Sequence, residues 1–176
     1  MFQPTPDQAM VVLQSLLGGM KLESRTTAAV MRAVPADRAD YRPDPNSKSA
    51  MELVRHIAVA DNRFIGSVTV GFFDLALAMP EGIATPKDVA DWYQQEFGKN
   101  FDLLTRATPE QLLNPVDFRG MFTWPAIHFL SLGLHHTIHH RGQLSTYLRP
   151  MGAKCPAIYG GSYDEPFQPA QASSAA

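Results

Sequence analysis

The sequence predicts an all-α fold: a four-helix bundle with long connections and an irregular C-terminal tail. Three observations carry this. Apolar residues recur at helical spacing over four long stretches. Three of those stretches open on a Ser or Thr followed three residues later by Gln, Glu or Asp, the reciprocal cap of a helix start. No run alternates polar and apolar residues as a half-buried strand would. At 176 residues, 45% hydrophobic and 18% charged, the chain suits one domain able to bury a real core. Residues 1–176 are read as that domain, with the bundle over about 6–152 and an extended tail over 153–176.

In order, Thr5 caps the first helix, Pro6 suits its first position and Gln8 closes the capping box. Val12, Leu13, Leu16, Leu17 and Met20 begin its apolar pattern, which resumes through Leu22, Ala29, Val30 and Val34 before Pro35. Gly18-Gly19 weakens this helix or lets another backbone come close. Prolines 43 and 45 restrict Tyr41–Ser47 to an extended linker. Ser49 and Glu52 cap a second helix running to about Ser67, with Leu53, His56, Ile57, Ala60 and Phe64 as its inner stripe. Glu52 is expected to be spent on the cap, and Asp61 and Asn62 to be solvated. Val68–Met79 extends that helix or forms a short one, with a break at Gly71. Thr85-Pro86 opens a third helix to about Arg106, and its aromatic stripe (Trp92, Tyr93, Phe97, Phe101) reads as core. Thr108–Gln111 is a helical turn and Asn114–Gly120 loop or extended chain. The last helix runs from near Pro125 to about Leu148, stopped by Pro150 and Gly152.

The net charge of −2 gives no reason to expect nucleic-acid binding. No uncharged apolar run approaches the ~18 residues of a membrane span. The start lacks the basic and apolar regions of a signal peptide. The single cysteine, Cys155, excludes an intramolecular disulfide and reads as an ordinary thiol. A cytoplasmic protein is expected. The tail over 168–176 is small, polar and uncharged, and is expected to be disordered unless it packs on a neighbour.

Four of the six histidines lie in Leu134-His135-His136-Thr137-Ile138-His139-His140-Arg141-Gly142-Gln143. His135 pairs with His139, and His136 with His140, at the four-residue spacing that sets two imidazoles side by side on a helix. At about 100° per residue, His136 and His140 fall at the edge of the apolar arc with Phe129 and Tyr147. His135, His139 and His128 fall on the opposite, polar arc. The inward pair and His56 can converge across a bundle. Three imidazoles with an open position suit a catalytic metal, because structural sites are closed by four protein ligands. Spacing alone leaves three hydrogen-bonded core histidines equally open.

The string His136-x3-His140-Arg141-Gly142-Gln143, continued by Tyr147-Leu148-Arg149-Pro150-Met151-Gly152, resembles the DinB/YfiT-like metalloenzyme family. Glu52-Leu53-Val54-Arg55-His56-Ile57 and the preceding Ala39–Pro43 linker match it too. The resemblance covers roughly residues 8–165, and HxxxHRGQ is its most specific part. It implies a four-helix bundle, usually homodimeric. It implies a divalent metal, zinc or nickel, on one His of the second helix and two of the last, here His56, His136 and His140. Characterised relatives include thiol transferases that use low-molecular-weight thiols, so a thiol cosubstrate joins the expectation. Arg141 projects toward the apolar arc and is expected to pair with a carboxylate from another helix.

The expected function is a divalent-metal-binding protein acting as an enzyme of thiol S-transferase or hydrolase type on a small-molecule substrate. The alternative is a non-catalytic metal-binding or stress-related binding module. A nucleic-acid role has only the family's damage-inducible name in its favour. No residue stands out as a general base; His139 and Tyr147 are the nearest candidates.

Overall fold

Thr5, Ser49, Thr85 and Thr108 each open a helix in the same way. The hydroxyl accepts from the backbone three residues on, and the side chain there accepts from the cap's own N–H. Each cap contributes about 1 kcal/mol. The computed structural model, which describes residues 2–167, has five helices among them. They are α1 (Pro6–Arg32), α2 (Ala50–Val70), α3 (Pro86–Leu104), the short α4 (Pro109–Leu113) and α5 (Ile127–Leu148). The expected tail disorder over 168–176 lies outside the described residues. No described helix is long and apolar enough to cross a membrane.

α2 packs on α3 and α5, and α1 packs on the same two. The order around the bundle is therefore α1, α3, α2, α5, with the sequential pair α1 and α2 on a diagonal. The connection over 33–49 makes that crossing possible. Leu13 and Met31, Ile57 and Ile65, Tyr93 and Leu104, and Phe129 and Leu130 bring the four long helices to one core. Val12 and Leu22, expected inward, are 38% and 60% exposed. Each is one or two residues from a buried position (Leu13, Met20), which is 100–200° around the helix. α1 runs unbroken through Gly18-Gly19, and among the described residues nothing beyond the helix's own local backbone lies within 4 Å of a Cβ built on either.

Gly71, left-handed at φ 84°, ends α2. Beyond it the chain holds no helix until Pro86, so the short helix considered for Val68–Met79 does not form. Two arginines of α2 hold this loop instead. Arg63 Nη2 donates to the carbonyls of Leu75 and Leu77 at 2.7 and 2.8 Å, and Arg55 Nη2 to that of Ile83 at 2.9 Å.

The Asn114–Gly120 segment is half of an antiparallel hairpin, β1 (Pro115–Phe118) and β2 (Phe122–Pro125). Phe118 pairs with Phe122. The Met121 N–H closes on the Phe118 carbonyl at 3.0 Å around Arg119 (φ 58°) and Gly120 (φ 73°). Positive φ at both central residues marks this four-residue turn as type I′. Glycine takes that conformation freely; Arg119 does not. The hairpin sets Phe118 and Phe122 against Phe129, with centroids at 6.0 and 6.4 Å.

α5 and α2 pack tightly at Gly133. A Cβ there would lie 2.5 Å from Phe64 Cβ and 2.8 Å from its Cγ. Gly133→Ala is therefore expected to cost about 1–3 kcal/mol by overpacking, read as a lower denaturant midpoint. An unchanged midpoint would mean that the two helices part without cost.

Candidate metal centre

The close approach at Gly133 brings the next turn of α5 against α2. His136 Nε2 lies 3.0 Å from His56 Nε2, and His140 Nε2 lies 3.1 Å from the same atom. The three ligand atoms fall within 4.8 Å of one another. The rings meet at 4.4–4.8 Å between centroids.

Hydrogen bonds among the imidazoles do not account for this convergence. His56 Nε2 has one in-plane site, either a proton or a lone pair, for two neighbours at bonding distance. A cation accepting three lone pairs satisfies all three atoms. Tetrahedral coordination with Zn–N bonds of about 2.0–2.1 Å separates the nitrogens by about 3.3–3.4 Å, within a few tenths of the two separations from His56 Nε2. The residues fit a divalent metal with a position left open.

The surroundings prepare the rings as ligands. His140 Nδ1–H donates to Gln143 Oε1 at 2.7 Å, which leaves the Nε2 lone pair pointing at the common point. His136 Nδ1 is buried and has no partner among the described residues. Burial, then repulsion from His140, Lys48 and Arg63, lowers the His56 pKa to about 4. Burial followed by the neighbouring histidines lowers that of His136 to about 4 as well. Burial lowers His140, against the Gln143 hydrogen bond. The rings are thus neutral near pH 7, the form that binds metal.

The remaining histidines stand elsewhere. His135 and His139 are exposed, with the His139 ring 4.9 Å from that of His140. His128 is bonded through Nε2 to the Phe2 carbonyl at 2.9 Å. The Tyr147 hydroxyl donates to the Lys48 carbonyl at 3.4 Å. Glu52 closes its cap and also pairs with Arg42 at 2.9 Å.

Asp61 and Asn62, read as solvated, are buried. Asp61 accepts from the Tyr93 hydroxyl at 2.6 Å and from Thr137 at 2.9 Å, joining α2 to α3 and α5. Burial pushes its carboxyl up to about 6, against those two donors. Asn62 bonds Asn100 of α3 at 3.0 Å. The signal was present: Asp61 follows Ile57 by four and precedes Phe64 by three, on the same inner stripe. Arg141, next to His140, is 1% exposed. It pairs with Glu23 of α1, the cross-helix carboxylate expected of it, and donates to the Tyr159 hydroxyl at 2.6 Å.

His56 and His136 line a cleft of about 470 Å³. Phe64, Phe73 and Phe118 form its aromatic wall, and Lys48, Arg55, Arg63 and Arg119 are its cations. None of these cations was singled out from the sequence, because the loop over 72–85 and the hairpin that complete the cleft carry no helical periodicity.

The family model described as DinB family matches residues 10–171. The uncharacterized protein YjoA of Bacillus subtilis (strain 168) is 31% identical over 131 residues, 72% of this chain and 82% of that one. The crystal structure of that DinB-like protein superposes with a TM-score of 0.67 at 24% identity, over 82% of this chain and 96% of the other. A DinB-like protein from Bacillus cereus ATCC 10987 gives a TM-score of 0.70 at 22% identity, over 83% and 97%. These structural likenesses show the shared helical-bundle fold.

Proposed function

The chain belongs to the DinB family, and on that premise we propose that it holds a divalent metal, zinc or nickel, at His56, His136 and His140 and works as an enzyme of thiol S-transferase or hydrolase type. The observation that carries this is the convergence of three neutral Nε2 atoms on one point beside a cleft. When bound, the metal supplies Lewis acidity at its open position, which polarises an electrophile or acidifies a water or thiol.

The chain's own residues do the rest. Gln143 keeps the His140 proton on Nδ1 and so keeps Nε2 free. Phe64 packs on the His136 ring at 5.4 Å and limits water on that side. Lys48 and Arg63 lie close enough to depress the His56 pKa. The same cations favour the anionic form of a thiol, which is the reactive one.

Chelator-stripped protein dialysed against zinc or nickel is expected to retain about one ion per chain by elemental analysis. The variant carrying His56→Ala, His136→Ala and His140→Ala is expected to retain none above background. Equal uptake by that variant would overturn the site. Metal-loaded protein is then offered low-molecular-weight thiols with a chloro-aromatic electrophile, and ester substrates. Turnover supports the enzyme; full metal occupancy without turnover of either class leaves a binding module.

A further inference from the structure

We infer that the cleft beside the three imidazoles accepts an organic anion, a carboxylate on an apolar or aromatic body. The inference deepens the proposed function and shares its premise that this cleft is the substrate's site.

The charge inventory is one-sided. Lys48, Arg55, Arg63 and Arg119 line the cleft, and Glu52 is the one carboxylate among its lining residues. Glu52 is already engaged by the Ser49 N–H and by Arg42. Arg55 and Arg63 donate to backbone carbonyls, which occupy donors without neutralising charge. Arg63 Nε is buried without a partner among the described residues. Lys48 and Arg119 carry no side-chain hydrogen bond or ion pair among the described residues. Three neutral imidazoles add no negative charge, so a divalent ion would increase the imbalance. A bound anion relieves it, and the planar guanidinium fork matches a carboxylate.

The rest of the wall is apolar. Phe73 meets Phe64 at 5.1 Å and Phe118 at 4.8 Å, and Phe64 stacks on Phe118 at 6.0 Å. A small inorganic anion would leave that surface uncovered. The hairpin gives a second, independent sign. Arg119 sits at φ 58°, where Gly or Asn is held more cheaply. A costly residue kept at a cleft points to use of its side chain.

Calorimetry of the full chain with 1-naphthoate and its neutral isostere 1-naphthamide tests this, with metal-free and zinc-loaded protein. Naphthoate is expected to bind about tenfold tighter or more in both forms. Arg119→Asn and Lys48→Gln are each expected to weaken naphthoate about three- to fivefold and leave naphthamide unchanged. Arg119→Asn should hold or raise the melting temperature, which separates lost charge from lost fold. Phe73→Ala should weaken both probes. Equal affinity for the two probes, or no effect of either cation variant, would overturn the proposal. Inorganic phosphate displacing naphthoate as well as naphthoate displaces itself would overturn the apolar half. The metal-free arm separates the two readings. Anion preference without metal uptake sinks the metal centre alone, and metal uptake without anion preference sinks this inference alone.

Discussion

Arg141→Met is expected to lower the unfolding free energy by about 3–5 kcal/mol, the cost of leaving a charge in the protein interior without its partner. Arg141 is 1% exposed. Its guanidinium pairs with Glu23, reaches Thr27 at 3.4 Å, donates to Tyr159 at 2.6 Å and lies 5.1 Å from that tyrosine's ring. Glu23 is itself only 13% exposed, so methionine leaves its carboxylate orphaned between α1 and α5. The pair as a whole is worth far less than this, because both ions gave up water to form it. The double variant Glu23→Gln with Arg141→Met is therefore expected to recover most of the loss. Urea denaturation at pH 7 reads both variants. A single variant within about 1 kcal/mol of the parent would refute the account. A double variant as unstable as the single one would place the loss in packing around Tyr159 rather than in the stranded charge.

The features legible in the sequence are those set by neighbours along the chain. The reciprocal caps of α1, α2 and α3 could be read because a hydroxyl and its partner three residues on act within one turn. The division of the histidine string into His136 with His140 and His135 with His139 followed from 100° per residue. His56 could be placed on the inner stripe of α2 by the same rule. The burial of Asp61 obeyed that rule too and was missed because a carboxylate is solvated in most places. Here Tyr93 and Thr137, from two other helices, make the exception. The order of helices around the bundle has no local signature, since it depends on which faces meet after a long connection. The hairpin was hidden for a related reason. Its four-residue strands bury Val116 but leave Asp117 and Thr123 outward, too short a pattern to stand apart from a loop. Gln143 belonged to the recognised string, but its bond to His140 Nδ1 shows only once the rotamers are known.

His56→Ala is expected to weaken zinc binding by about a hundred- to a thousandfold. Structural zinc in small peptides is worth about 10–16 kcal/mol over four ligands, so one ligand carries roughly 2.5–4 kcal/mol. The loss should be large at this position because His56 Nε2 is the atom that both other imidazoles approach. Without it, two ligands remain, one turn apart on a single helix. Competition titration against a chelator indicator reads the affinity. A loss below about threefold would mean that the metal sits elsewhere. The same imidazoles fix a pH dependence whose sign follows from burial. Protons and metal compete for one lone pair on each ring, and His56 and His136 accept a proton at about 4 rather than 6.5. As far as these two rings decide it, the zinc affinity should therefore hold on acidification to about pH 5 and begin to fall as the pH approaches about 4. In the metal-free protein the unfolded chain takes up these protons near 6.5, while the folded chain waits until about 4. The stability these two residues contribute is present above 6.5 and lost as pH falls through 4. Asp61 acts in the opposite sense. Its carboxyl titrates near 6 when folded against 3.8 ordinarily, so its contribution is present below 3.8 and lost as pH rises through 6. Two imidazoles against one carboxyl leave a net fall in melting temperature from pH 6.5 to 4. That fall should be shallower in His56→Ala and steeper in Asp61→Asn, which removes the opposing group. An apparent zinc affinity that already begins to fall at about pH 6.5 would show that the imidazoles are as well solvated as free histidine, and the packing of α5 on α2 would then not be what holds them neutral.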